Sequence, residues 1–217
     1  GWLALGDFYI AMQRFDDAMQ AYRAAHQRVP TAAEPLERLA SVALYQQRLD
    51  EARAYVMALQ ALKDSNIPWQ YFQGRLFLAQ GQAKDAIGAF LEVNSQLIAF
   101  APAHYHLAFA YLADQKHQLA RAALTRASAL APDFVAAHLA MASLYVEDGA
   151  FALARELITK VLQYLPGHPQ AYHLLGQASL GLGEVNRAIM AFQAAVNRAS
   201  YEAQREGRLR LLYPRAQ

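Results

Sequence analysis

Seven histidines and a few acidic pairs are the residues whose types could do chemistry in this chain. His104 and His106 are two apart in a helical pattern, so they point to different faces and cannot chelate one ion together. His168 and His173 are five apart, also a poor chelating interval. His138 follows His104 by 34 residues and Tyr172 follows His138 by 34, in the column that begins at Trp2. That recurrence reads as packing rather than ligation. His26 and His117 fall near helix ends and are expected to face solvent. Asp16-Asp17 opens a helix, where negative charge suits the terminus. Glu147-Asp148 falls in a turn. There is no cysteine, no phosphate-binding glycine loop, no nucleophile elbow and no HExxH zinc motif. Gly181-Leu182-Gly183 is expected as a turn between helices. The residues therefore point to a non-enzymatic chain with no cofactor and no metal.

The elements that carry these residues repeat. Ala18, Ala52, Ala86, Ala120, Ala154 and Ala188 are spaced by 34 residues without insertion. Gly6, Ala40, Gly74, Ala108, Ala142 and Gly176 form a second, small column. Tyr22, Val56, Phe90, Leu124, Ile158 and Phe192 form a large one. Ala25, Leu59, Val93, Ala127, Val161 and Ala195 follow it by three, and Leu5, Leu39, Gln73, Leu107, Met141 and Leu175 precede the small column by one. Each unit holds two apolar patterns at three- and four-residue steps, split by a short polar break such as Asp114-Gln115-Lys116. Pro30, Pro35, Pro68, Pro102, Pro132, Pro166 and Pro169 punctuate unit boundaries, where a helix tolerates proline. Asp133 is placed to cap a following helix. Small residues let paired helices approach to the short end of the usual 8–10 Å. A bulky residue at Ala120 or Ala142 is expected to cost about 1–3 kcal/mol by overpacking.

This pattern resembles the tetratricopeptide repeat. Unit one carries it through Trp2, Leu5, Gly6, Tyr9, Phe15, Ala18, Tyr22, Ala25 and Pro30. Unit five carries it through Ala142, Tyr145, Phe151, Ala154 and Pro166, and unit six through Tyr172, Leu175, Gly176, Ala188, Phe192 and Ala195. Departures are Ala43 and Asp64 in unit two, Gln73 in unit three and His117 in unit four. The resemblance implies an all-α fold, a right-handed superhelical solenoid of antiparallel helix pairs. Six repeats are expected at about 1–32, 33–66, 67–100, 101–134, 135–168 and 169–200. Residues 201–217 are expected as a capping helix or truncated repeat. Leu209, Leu211 and Leu212 would lie on the last pair, Arg205, Arg208, Arg210 and Arg215 would make it basic, and Pro214 would end it.

Proteins of this family bind peptides or partner subunits on the concave face lined by first helices. The first-helix positions left over by the packing columns are Glu37, Ser41, Tyr45, Tyr71, Arg75, Leu78, Tyr105, Phe109, Leu112, Leu139, Ser143, Glu147, His173 and Gln177. Tyr71, Arg75, Tyr105 and Phe109 form the expected centre, with packing between units the competing role for Tyr105 and Phe109. Such a lining suits an extended segment or helix with apolar anchors. One branch of the family holds a carboxylate with lysines and asparagines. Leu3, Asp7 and Ser41 stand at the places of its first lysine and its asparagines, leaving Arg75 as the cation, so the full clamp is not expected.

The formal charge of +2 on 217 residues gives no dense basic face for nucleic acid. No apolar run reaches the roughly 18–20 residues that cross a bilayer. The chain opens at Gly1-Trp2 inside a helical pattern, which reads as a processed or excised piece, in cytoplasm or periplasm, with Trp2 made to pack on something before it. The expected function is a protein-binding scaffold in a bacterial envelope, secretion, pilus or polysaccharide-export assembly. Self-assembly, or a regulatory segment of a larger enzyme, are the alternatives.

Overall fold

The computed structural model describes residues 1–62 and 67–212, with side chains described through Tyr201. It is all-α among those residues. The helices are α1 (Trp2–Ala11), α2 (Phe15–Arg28), α3 (Glu34–Tyr45), α4 (Leu49–Ala61), α5 (Trp69–Ala79), α6 (Ala83–Gln96), α7 (Ala101–Ala113), α8 (His117–Leu130), α9 (Val135–Glu147), α10 (Phe151–Tyr164), α11 (Pro169–Gly181) and α12 (Val185–Leu212). They fall into two compact units, one holding Gly1–His117 and the other Gln118–Arg208. In the first, α1 packs on α2, α3 on α4 and α5 on α6, and each pair contacts the next. In the second, α10 packs against both α9 and α11.

The turn inside each pair is one device used six times. Gln13, Gln47, Gly81, Gln115, Gly149 and Gly183 all have φ between 54° and 75°. The amide after each one reaches back five residues. Arg14 donates to the Tyr9 carbonyl at 2.8 Å, Arg48 to Ala43 at 2.8 Å and Gln82 to Phe77 at 2.8 Å. Lys116 to Tyr111 (2.8 Å), Ala150 to Tyr145 (2.8 Å) and Glu184 to Ser179 (2.9 Å) repeat the bond. This is the Schellman closure, which satisfies the last carbonyls of the first helix and reverses the chain. Three of the six left-handed positions carry glutamine, which has a Cβ that this conformation resists.

Between the paired helices the small and large columns meet. A Cβ built on Gly6 would lie 2.2 Å from the Tyr22 ring, one on Gly74 would lie 2.8 Å from Phe90, and one on Gly176 would lie 2.6 Å from Phe192. Each glycine thus sits beneath an aromatic ring. Elsewhere an alanine stands with an aliphatic residue: Ala40 with Val56 in the first unit and Ala142 with Ile158 in the second. Ala142 and Ile158 share the core of the second unit with Ala154, Val161, Ala171 and Leu174. The two columns compensate each other in volume, a coupling that reading each column alone misses.

The Trp2 column has a polar task at its later members. The His104 Nε2 donates to the Ile98 carbonyl at 3.4 Å, His138 Nε2 to Pro132 at 2.9 Å, and the Tyr172 hydroxyl to Pro166 at 3.1 Å. All three tie the start of a first helix to the loop six residues earlier. Trp2 is itself 40% exposed, with the Arg28 guanidinium 5.6 Å from its ring. Ion pairs such as Arg23–Glu51 (2.7 Å) and Arg155–Glu184 (2.8 Å) link a second helix to the following pair. They are partly exposed, so each contributes little.

Residues 201–212 prolong α12 without a break, rather than starting the further helix expected after residue 200. The side chains of Arg205, Arg208, Leu209, Arg210, Leu211 and Leu212, together with Asp64, Pro214 and Arg215, lie outside the described residues.

Gly74→Ala should cost about 1–3 kcal/mol, because the buried Phe90 ring cannot retreat. Adding Phe90→Leu should recover part of that loss in a double-mutant cycle of urea unfolding. Gln115→Gly should raise stability by up to about 1 kcal/mol by relieving its left-handed backbone. A loss of stability in that variant would contradict the turn assignment.

Candidate binding cavity

A cavity of about 540 Å³ opens in the first unit among α1, α2, α3 and α5. Ile10, Phe15, Val42 and Tyr45 supply its apolar wall, and Asp7, Gln13, Arg38, Ser41 and Arg75 its polar one. The Phe15 and Tyr45 rings stand 5.1 Å apart at a tilt of 41°. Tyr45 is 70% exposed, so this aromatic pair is open to a partner.

The charges in the cavity are not equally engaged. The Tyr22 hydroxyl donates to Asp7 Oδ1 at 2.7 Å, and Arg38 Nε lies 3.4 Å from the same oxygen. Burial first, and then the bond to Asp7, push the Tyr22 phenol above its ordinary range. Arg38 also reaches Glu34 at 3.6 Å. Arg75 differs. Its Nη1 donates to the Ser41 hydroxyl at 3.1 Å, and its guanidinium carbon lies 5.6 Å from the Tyr71 ring centroid. Its neighbours are thus a hydroxyl and a phenol, where Arg38 has carboxylates.

Behind Arg75 lies an aromatic cluster. Tyr71 meets Phe72, Phe90, Phe100 and His106 edge-on, with centroids 5.1–6.2 Å away. His106 stacks on Phe90 at 5.9 Å. Loss of water around the imidazole, assisted by the positive charge of Arg75, lowers the His106 pKa to about 3. His106 is therefore held neutral, half-buried against Tyr71 and Phe90.

The sequence-selected positions divide accordingly. Ser41, Tyr45 and Arg75 line the cavity. Tyr71 does not stand free in a groove: it is 7% exposed and its ring belongs to the core. The first-helix rule selected it because it left the packing columns, yet Phe100, from the loop before α7, covers it. Tyr105 is half-buried and packs edge-on against Phe109 at 4.9 Å, while Phe109 keeps 37% of its surface. Glu37, Leu78 and Leu112 are half-buried. In the second unit, Leu139 is buried in the core, which removes it from the lining. There the Ser143 hydroxyl donates to Glu147 at 3.3 Å, His173 is exposed with its ring 5.5 Å from Phe192, and Gln177 is half-buried.

Of the ten residues lining the cavity, sequence reasoning selects Ser41, Tyr45 and Arg75 and leaves out seven. Asp7 stands in the column of Ser41 and Arg75, 34 residues before Ser41, so the register could have found it. Gln13 and Phe15 come from the turn and from a second helix, which a first-helix rule cannot reach. A separate cavity of about 530 Å³ in the second unit, with Val135, Leu157, Val161 and Leu165 in its lining, was not anticipated either. Among the described residues no group of three metal-ligating side chains converges, and no helix is long and apolar enough to cross a membrane.

Helix pairs closed by one recurring turn and packed through one small–large contact define an α-helical repeat protein. Models of the tetratricopeptide repeat match residues 1–42, 38–102, 101–134 and 139–203. The chain belongs to the tetratricopeptide repeat family. Among solved structures it is similar to MamA, at 24% identity and TM-score 0.57 over 92% of this chain and 96% of that one. It is also similar to TTC0263, a thermophilic repeat protein of Thermus thermophilus, at 22% identity and TM-score 0.71 over 83% and 97% of the two chains. PilW, described as a widely conserved type IV pilus biogenesis factor, matches at 16% identity and TM-score 0.71 over 88% of each chain. Likeness at this identity concerns the fold. No curated protein matches the chain.

Acid should destabilise the protein through His106. The unfolded chain takes up this proton below the ordinary value of 6.5, while the folded chain resists until about 3. Stability contributed by the neutral ring is thus present above pH 6.5 and is lost as pH falls toward 3, with a slope of at most about 1.4 kcal/mol per pH unit. His106→Phe should flatten this part of the curve relative to the parent. Equal slopes for the two proteins between pH 6.5 and 4.5 would refute the assignment.

Proposed function

We propose that the chain is a non-enzymatic protein-interaction scaffold that takes an extended segment of a partner in the cavity of its first unit. The observation that carries this reading is the pairing, in one cavity of about 540 Å³, of an exposed aromatic shelf with an arginine whose neighbours are a hydroxyl and a phenol. Small cavities with apolar walls and a few oriented polar groups are suited to anchoring one side chain of a ligand. The apolar anchor enters between Phe15 and Tyr45, and an acidic group of the same segment meets Arg75. Tyr105 and Phe109 extend the apolar surface on α7. The family's role as a protein-binding module supports this reading. Likeness to PilW favours a place in a bacterial envelope or pilus-type assembly over the self-assembling alternative.

Crosslinking in cells of the source organism tests it. Tyr45→Ala and Arg75→Ala, with helical content and melting temperature checked first, should each lose the partners captured by the parent protein. Tyr71→Ala is unsuitable for this purpose, because losing the buried ring damages the core. Capture of the same partners by both variants would remove the cavity as the binding site.

A further inference from the structure

We infer that Tyr71 and Ser41 act as positioning residues, together fixing the Arg75 guanidinium so that its unengaged N–H groups serve the cavity. The inference rests on the cavity being a binding site and adds how its cation is held. An arginine side chain on a helix surface ordinarily samples many rotamers, and ordering it on binding opposes affinity. Arg75 is restrained from two sides. The Ser41 hydroxyl, on α3, accepts from Nη1 at 3.1 Å. Tyr71, one turn earlier on α5, places its ring 5.6 Å from the guanidinium carbon. The positive charge of the guanidinium acts against the upward push that burial gives the Tyr71 phenol.

Tyr71 can do this because it cannot move. Phe72, Phe90, Phe100 and His106 enclose its ring. The position that looked like a groove anchor in sequence is thus the rigid backing of the groove's cation. A guanidinium has five N–H donors in a fixed fork. One is given to Ser41, which leaves donors for a planar anion. A carboxylate is the chemical class that matches such a fork with two parallel hydrogen bonds.

The test is NMR of the Arg75 side chain in the full 217-residue chain. In the parent protein its guanidinium should rotate slowly about the Nε–Cζ bond. Tyr71→Phe keeps the ring and removes the hydroxyl dipole beside the guanidinium, so melting should change little while rotation accelerates by up to about fivefold. Ser41→Ala should do the same independently, and serves if Tyr71→Phe fails to fold. Unchanged rotation in a folded variant overturns the positioning role. Potassium acetate, with potassium chloride as control, then probes the cavity. Saturable shifts of the Arg75 signal with acetate, weakened about fivefold in Tyr71→Phe, are expected. If acetate leaves the parent signal unmoved while Tyr71→Phe still frees the guanidinium, the carboxylate reading fails and the positioning role stands.

Discussion

The close approach of two helices at one small residue is the constraint on which the rest depends. A glycine beneath an aromatic ring, or an alanine opposite an aliphatic residue, sets how near the paired helices lie. At Gly6, Gly74 and Gly176 a single added carbon would sit 2.2–2.8 Å from a ring. Protein interiors have no spare volume to absorb that. The exchange between glycine–aromatic and alanine–aliphatic pairs keeps the sum of volumes similar from unit to unit. The repeat therefore conserves a spacing rather than a residue.

Regularity of spacing requires regularity of direction, and the turns provide it. Six left-handed residues one period apart close six first helices with the same backbone hydrogen bonds. At the other end of the pairs, His104, His138 and Tyr172 tether the incoming loop to the next first helix. Side chains as different as imidazole and phenol serve there because the task needs only an N–H or O–H at one distance. A histidine that invites a metal or catalytic reading is, in this setting, a donor to a carbonyl.

Function occupies what packing leaves over. Asp7 is engaged by Tyr22 and Arg38, while Arg75 keeps donors to offer. The same cation stands near the half-buried His106 and adds to the desolvation that keeps it neutral. Core and site thus share one aromatic cluster, whose inner rings stabilise α5, α6 and α7. Its outer edge meets the cavity through Arg75.

Much of the fold was legible in the sequence because packing against a neighbour one period away imposes residue size at fixed intervals. Ala18 to Ala188 needed no coordinates to be read as the inside of helix pairs. Ser41, Tyr45 and Arg75 could likewise be placed on first helices by register alone. Register gives a residue's angle about its helix, but not the length of the loop before the next helix. That is why register places Tyr71 in the lining although Phe100 covers it, and Leu139 there too although the core of the second unit encloses it. Phe15 and Gln13 escaped for the converse reason, since they reach the cavity from elements outside the rule. Period and size belong to local sequence. Which leftover side chains share one cavity, and which charge there is left with donors to spare, depends on distances between separate helices, and only the tertiary structure decides those.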